Sequence, residues 1–188
     1  GRVSFVVDAE CYFRAFREAA KQARHSILIL GWDIDSRLRL CREDANDGYP
    51  DTLGEFLNHL TSAHGVEVHI LSWDFNMIYM LEREFLPLFN PGWRGSEKLH
   101  FMLDGNHPVG ASHHQKVVVI DDVLAFTGGL DLTARRWDTS DHLPDDPRRK
   151  DPWGIHYHPF HDVQVAVDGE AALHLGELVR ERWDRAAG

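Results

Sequence analysis

The feature that most narrows the fold is a change of hydrophobic period that recurs along the chain. Stretches with apolar residues three and four apart give way to short runs rich in Val, Ile and Leu, and then the first pattern returns. "DAECYFRAFREAAKQARHS" sets Phe13, Phe16, Ala20 and Ala23 on one helical face, with Asp8 placed to cap its start. "SILILGWDID" then reads as a buried strand from Ile27 to Trp32. A second helix is expected in "TLGEFLNHLTSAHG", with Thr52 as cap and Gly65 as stop, followed by a strand in "VEVHILSWD". A third helix is expected in "MIYMLEREFLPLF", ending near Pro87, and a further strand in "LHFMLD". "QKVVVIDDVLAFTGG" reads as two strands joined by a turn at Asp121-Asp122. "HDVQVAVDG" alternates cleanly as a last strand, and "EAALHLGELVRERWDRA" is a closing amphipathic helix. Residues 138–160 hold half of the chain's eight prolines and many charges, the mark of a long loop of the kind that is either functional or disordered. Helix and strand in alternation imply an α/β fold, an α/β/α sandwich around a central mixed β-sheet.

At 188 residues the chain suits one well-packed domain, 1–188, and is short for two. No apolar run approaches the roughly 20 residues of a membrane helix. Cys11 and Cys41 sit in no metal or redox spacing and give no disulfide framework. The formal net charge of −10 counts against broad nucleic-acid binding, which needs basic surface to release counterions. Three of the thirteen histidines, close together with an aspartate, raise metal binding directly. Yet "HYHPFHD", with His156, His158, His161 and Asp162, matches no standard zinc spacing, so neither a required metal nor another cofactor is expected.

Chemistry concentrates in "SHHQKVVVIDDVLAFTGG", Ser112 to Gly129. His114 and Lys116 are two apart at the mouth of a strand, so an imidazole and an ammonium share one face. Lys116 is one of four lysines, with Lys21, Lys98 and Lys150, and it alone adjoins an apolar strand. A neutral imidazole is abundant near its ordinary pKa of about 6.5 and can attack phosphorus. A lysine in a water-poor site can hold phosphoryl oxygens as a point charge. Gly128 and Gly129 permit a sharp turn or a close approach of backbone to phosphate.

The spacing His, any residue, Lys, four residues, Asp, six residues, Gly-Gly resembles the signature of the phospholipase D superfamily. "GGLDLTARRWDTSDH", "PFHDVQVAVDG", "ERWDR" and the opening "YFRAFREAAKQARHSILILGWDID" are similar to the first catalytic half of its two-motif members. The resemblance implies catalytic roles for His114, Lys116, Asp121 and Asp162. His114 would form a phosphohistidine, which splits one displacement into two. Asp162 would fix its tautomer, and Asp121 would act nearer to structural support than to chemistry. Gly128, Gly129 and Asp131 would line the substrate pocket. His113 and His161 are expected as hydrogen-bonded supports, and Trp137 and Trp183 as packing residues.

The family's site uses two such motifs, one histidine attacking and the other protonating the leaving oxygen. Here only His114 has a lysine two residues on. The chain is therefore expected to be half a site, completed by a second motif in a longer protein or by a second copy of itself. The implied activity is hydrolysis or transfer of phospholipid headgroups, at a membrane periphery or in the cytoplasm. The rivals are a superfamily phosphodiesterase acting on nucleic acid and a non-catalytic phosphate-binding module.

Overall fold

The computed structural model describes residues 1–43, 45–74, 91–93, 95–108 and 110–188. Seven strands form one sheet: β1 (Val3–Val7), β2 (Ser26–Gly31), β3 (Glu67–Trp73), β4 (Leu99–Asp104), β5 (Val117–Ile120), β6 (Leu124–Gly128) and β7 (Val163–Asp168). Their order is β1-β7-β6-β5-β2-β3-β4. β2, β3 and β4 run parallel, and every other neighbouring pair is antiparallel. The sheet is therefore mixed, as the alternation requires. The third helix expected in "MIYMLEREFLPLF" lies outside the described residues.

Two helices, α1 (Ala9–Ala20) and α2 (Leu53–His64), cover one face. Period-2 alternation sends Ile27 and Ile29 of β2, Val118 and Ile120 of β5, and Phe126 of β6 into this layer. There they meet Phe13, Phe16, Phe56 and Leu60. The opposite parity, Leu28, Leu30, Val117, Val119 and Ala125, packs with Ala172 and Val179 of α3 (Glu170–Ala187). A one-residue slip in any of these strands would exchange the two layers, so apolar parity fixes the register. Gly65 ends α2 in the left-handed region, at φ 73°, as its type predicts.

Two expectations change. β1 is an additional edge strand at the start of the chain, where Val3, Phe5 and Val7 remain exposed. Asp8 stands at the N-cap position of α1 but gives the helix no side-chain hydrogen bond. Its carboxylate turns instead toward the 138–160 loop, accepting from Ser140 Oγ at 2.8 Å.

That loop has no long helix or strand, yet it is tied down by a buried guanidinium. Arg149 is 1% exposed and donates to Asp138 Oδ1 at 2.9 Å and to the carbonyls of Leu143, Pro144 and Tyr157 at 2.7, 2.7 and 2.9 Å. Burial alone would push the Asp138 carboxyl up. Hydrogen bonds from His142, the Phe160 and Thr139 amides and Arg149 outweigh it and hold the group below its ordinary value. Truncation, Arg149→Ala, would leave a buried carboxylate and three carbonyls without their donor. Urea unfolding of this variant should show a loss of about 3–5 kcal/mol; a loss under about 1 kcal/mol would mean that the loop is organised by something else.

Candidate active site

One edge of the sheet gathers the chemistry. β2, β3 and β4 end there at Gly31, Trp73 and Asp104, and the antiparallel strands bring the start of β5, the end of β6 and the start of β7 to the same edge. This is the side of an open α/β sheet where binding crevices form. His114 is exposed three residues before β5, and Lys116 is 6% exposed just before its first residue. The Lys116 ammonium lies 3.3 Å from Asp131 Oδ2 and donates to the His114 carbonyl at 3.1 Å. Asp131 is 2% exposed, and its Oδ1 accepts the Trp32 amide at 2.8 Å. Burial pushes the Asp131 carboxyl up in spite of Lys116 beside it, the ammonium and the Trp32 amide pulling the other way.

Aromatic rings wall this pair. The Trp32 ring stacks on Trp73 at 5.7 Å and meets the His114 ring edge-on at 5.9 Å, with the Lys116 ammonium 6.0 Å from its centroid. These two tryptophans were not picked out from the sequence. A signal was available: "GWD" and "SWD" close two strands, and Gly31 pairs with Ser72 across the parallel ladder, which sets the two Trp-Asp pairs side by side.

The glycine pair acts by close approach. A Cβ at Gly129 would land inside the contact shell of the Asp162 carboxylate, and one at Gly128 would strike Gln164 and the Val163 carbonyl. Asp162 is thus at the expected edge, against Gly129, with Oδ1 accepting the Val163 amide at 2.7 Å. Among the described residues it makes no hydrogen bond to His114. The structure brings the two to one edge without the bond expected between them.

Asp121 is not at this edge. It follows β5 at the far end, in the left-handed region at φ 52°. Its carboxylate accepts the amides of Arg24, His25 and Ser26 at 2.7, 2.8 and 2.8 Å, so it ties the β5–β6 turn to the start of β2. Grouping Asp121 with the catalytic residues is therefore corrected to a supporting role. The reason is length: four strand residues at about 3.3 Å each separate it from Lys116.

The supporting histidines fall into two sets. His113 Nε2 lies 3.1 Å from the Asn106 carbonyl and 3.5 Å from Asp104 Oδ2, while Arg182 of α3 also holds Asp104. His161 Nδ1 lies 2.6 Å from Asp8 Oδ1, and His142 bridges Asp8 and Asp138 at 3.4 and 3.1 Å. The Asp8 amide donates to the Asp162 carbonyl at 2.9 Å, so this cluster braces the strand start that carries Asp162. Of "HYHPFHD", His156 and His158 are exposed and only His161 joins that cluster. Trp137 is buried between the guanidiniums of Arg42 and Arg148, and Trp183 packs beside the α3 layer, both as packing residues.

The site is thus an exposed imidazole beside a buried lysine at one end of a mixed α/β sheet. No protein-family model matches the chain. It is 31% identical to phospholipase D C of Dictyostelium discoideum over 96% of its length. It is 29% identical to phospholipase D beta 1 and 30% identical to phospholipase D gamma 1 of Arabidopsis thaliana, over 95% and 90%. The chain spans 12%, 20% and 24% of these three relatives. Its fold is similar to Nuc, a phospholipase D family member from Salmonella typhimurium, with a TM-score of 0.63 at 17% identity over 97% of this chain and 94% of that one. NucT from Helicobacter pylori gives 0.58 at 13% identity, over 97% and 96%. The chain belongs to the phospholipase D superfamily.

The Asp121 assignment can be checked on this chain alone. Asp121→Gly keeps the left-handed backbone accessible and removes only the acceptor. Three amides then lose a charged partner, and urea unfolding should report a loss of about 1–3 kcal/mol. An unchanged midpoint would detach Asp121 from the β2 start.

Proposed function

We propose that this chain carries one half of a phospholipase D-type phosphodiesterase site that hydrolyses or transfers phospholipid headgroups. The observation that supports it most is the exposed His114 ring beside the buried Lys116–Asp131 pair at the sheet edge. On this reading one ring nitrogen of His114 attacks phosphorus, a P–N bond forms, and the bond to the leaving alcohol oxygen breaks. That oxygen takes a proton from a histidine of the complementary half, since no second His-x-Lys stands in this chain. Water or another alcohol then attacks the phosphohistidine, the P–N bond breaks, and the proton lost by the nucleophile returns to that same histidine of the complementary half. Lys116 holds the non-bridging oxygens. Asp162, behind Gly129 at the same edge, would orient the imidazole and stabilise its charged form.

Covalent capture tests the nucleophile. In an assembled site, His114→Ala should abolish turnover and the acid-labile phosphoprotein, whereas His113→Ala should keep capture. Labelled phosphate that stayed on the His114→Ala protein would move the nucleophile elsewhere. Asp162→Asn should cost on the order of 10²-fold or more in rate, with little loss of stability. Headgroup release from phosphatidylcholine vesicles, run beside nicking of plasmid DNA, identifies the substrate. Release without nicking is expected, and nicking alone would transfer the reading to a nuclease.

The isolated chain should fold and lack competent diesterase activity as a monomer. General acid help is typically worth 10²–10⁴-fold, and the chain supplies only one His-x-Lys. Activity and solution mass measured across protein concentration decide the matter. Robust turnover by a proven monomer would refute the half-site, and turnover that rises with dimer content would place completion in a second copy.

A further inference from the structure

A second cluster stands at the opposite edge of the sheet, where β3 and β4 begin. The parallel register pairs His69 directly with His100. Side chains two apart on a strand share a face, so Glu67 joins them on the side covered by α3. The two imidazoles stack at 4.5 Å with 26° between planes. His69 Nε2 is 3.1 Å from Glu67 Oε1, and His100 Nε2 is 3.5 Å from the same oxygen. All three donor atoms lie within 4.8 Å of one another. The Trp183 ring, from α3, closes one side at 4.8 Å from the His69 ring and at 87° to it.

Those separations have a meaning. Ligands bound to one zinc at about 2.0–2.2 Å stand roughly 3.3–3.5 Å apart at the corners of a tetrahedron. The carboxylate oxygen already stands near that spacing from each imidazole nitrogen, and the two nitrogens lie within 4.8 Å of one another. The plain alternative is a polar cross-strand pair on a solvated surface, each imidazole facing the carboxylate as a hydrogen-bond donor. Imidazole donors favour zinc and its transition-metal neighbours over calcium or magnesium.

We propose that Glu67, His69 and His100 form a divalent transition-metal site of the zinc type, with water completing the coordination. It lies across the sheet from His114 and takes no part in phosphodiester chemistry. Its effect is to pin β3 to β4 beside α3, so that metal binding stabilises the folded chain by mass action.

The test uses the whole chain, stripped of metal, with zinc chloride and cobalt chloride as probes. Calorimetry should find one zinc per chain, cobalt should give the visible spectrum of a nitrogen-and-oxygen tetrahedral site, and zinc should raise the melting temperature. His69→Gln and His100→Gln keep polar, half-exposed side chains and should each remove the stoichiometric binding and the cobalt spectrum while leaving the metal-free melting temperature in place. His161→Ala, which breaks the Asp8–His142–His161 group, should keep both. The proposal fails if no zinc binds, if both glutamine variants still bind it, or if only His161→Ala loses it. Should a glutamine variant fail to fold, cobalt spectra of Glu67→Gln decide instead, since loss of an exposed carboxylate ligand must weaken the bands.

Discussion

An ammonium buried at the end of an apolar strand must have a partner, and the surroundings of Lys116 follow from that need. The idealised cost of taking such a charge out of water is of order 20 kcal/mol, and several kcal/mol remain after relaxation. Asp131, at 3.3 Å, supplies the opposite charge, and it is in turn held by the Trp32 amide. The pair therefore links the β5 start, the segment after the Gly128-Gly129 turn and the end of β2 in one contact set. Gly31 shows how tight that set is, for a Cβ there would stand 3.1 Å from Asp131 Oδ1 and closer still to Ile34. The same constraint leaves His114, two residues earlier, on the solvent side of the buried lysine, where a reacting imidazole has to be.

A second brace works from the loop side. Asp8, Asp138 and Arg149 are all buried, and each is answered by a side chain of opposite or titratable charge or by backbone carbonyls. In the 138–160 loop, polar satisfaction takes the place that apolar packing holds in the helices. Its far end delivers His161 and Asp162 to the edge that His114 occupies. A loop of this length can hold a fixed path only because its carbonyls and carboxylates find donors inside it.

Much of this was legible in residue order. Apolar periodicity set α1, α2 and α3, short apolar runs set β2, β3, β4, β5 and β6, and alternation set β7. The His114-to-Gly129 spacing marked the edge because spacing along a strand translates into faces and ends. What stayed hidden depends on contacts between residues far apart in the chain. Asp8 looked like a helix cap, since aspartate before an amphipathic run normally is one; its partners Ser140 and His161 lie more than 130 residues away. β1 carries too few residues to show a period, and its exposed Val3, Phe5 and Val7 do not announce a core strand. Asp121 was within reach of sequence reasoning. A four-residue strand between it and Lys116 places it at the opposite edge whatever the tertiary packing.

Charge at the edge explains why one half should be poor alone, on the proposed reading. A phosphodiester brings one negative charge to a chain of formal net charge −10. Lys116 is already balanced by Asp131, and Arg182 of α3 is engaged with Asp104 and Gln115. Asp162 adds a further carboxylate beside Gly129. Among these groups no cation stands in excess, so an arriving phosphate meets a neutral pair set among acids. Burial pushes the Asp131 carboxyl up, against the pull of the Lys116 ammonium beside it. A complementary motif would add a second lysine over the same phosphorus, offsetting the negative charge that Asp162 leaves at this edge. The proton donor and the missing charge would then arrive in one step, which ties substrate binding as well as chemistry to the meeting of two halves.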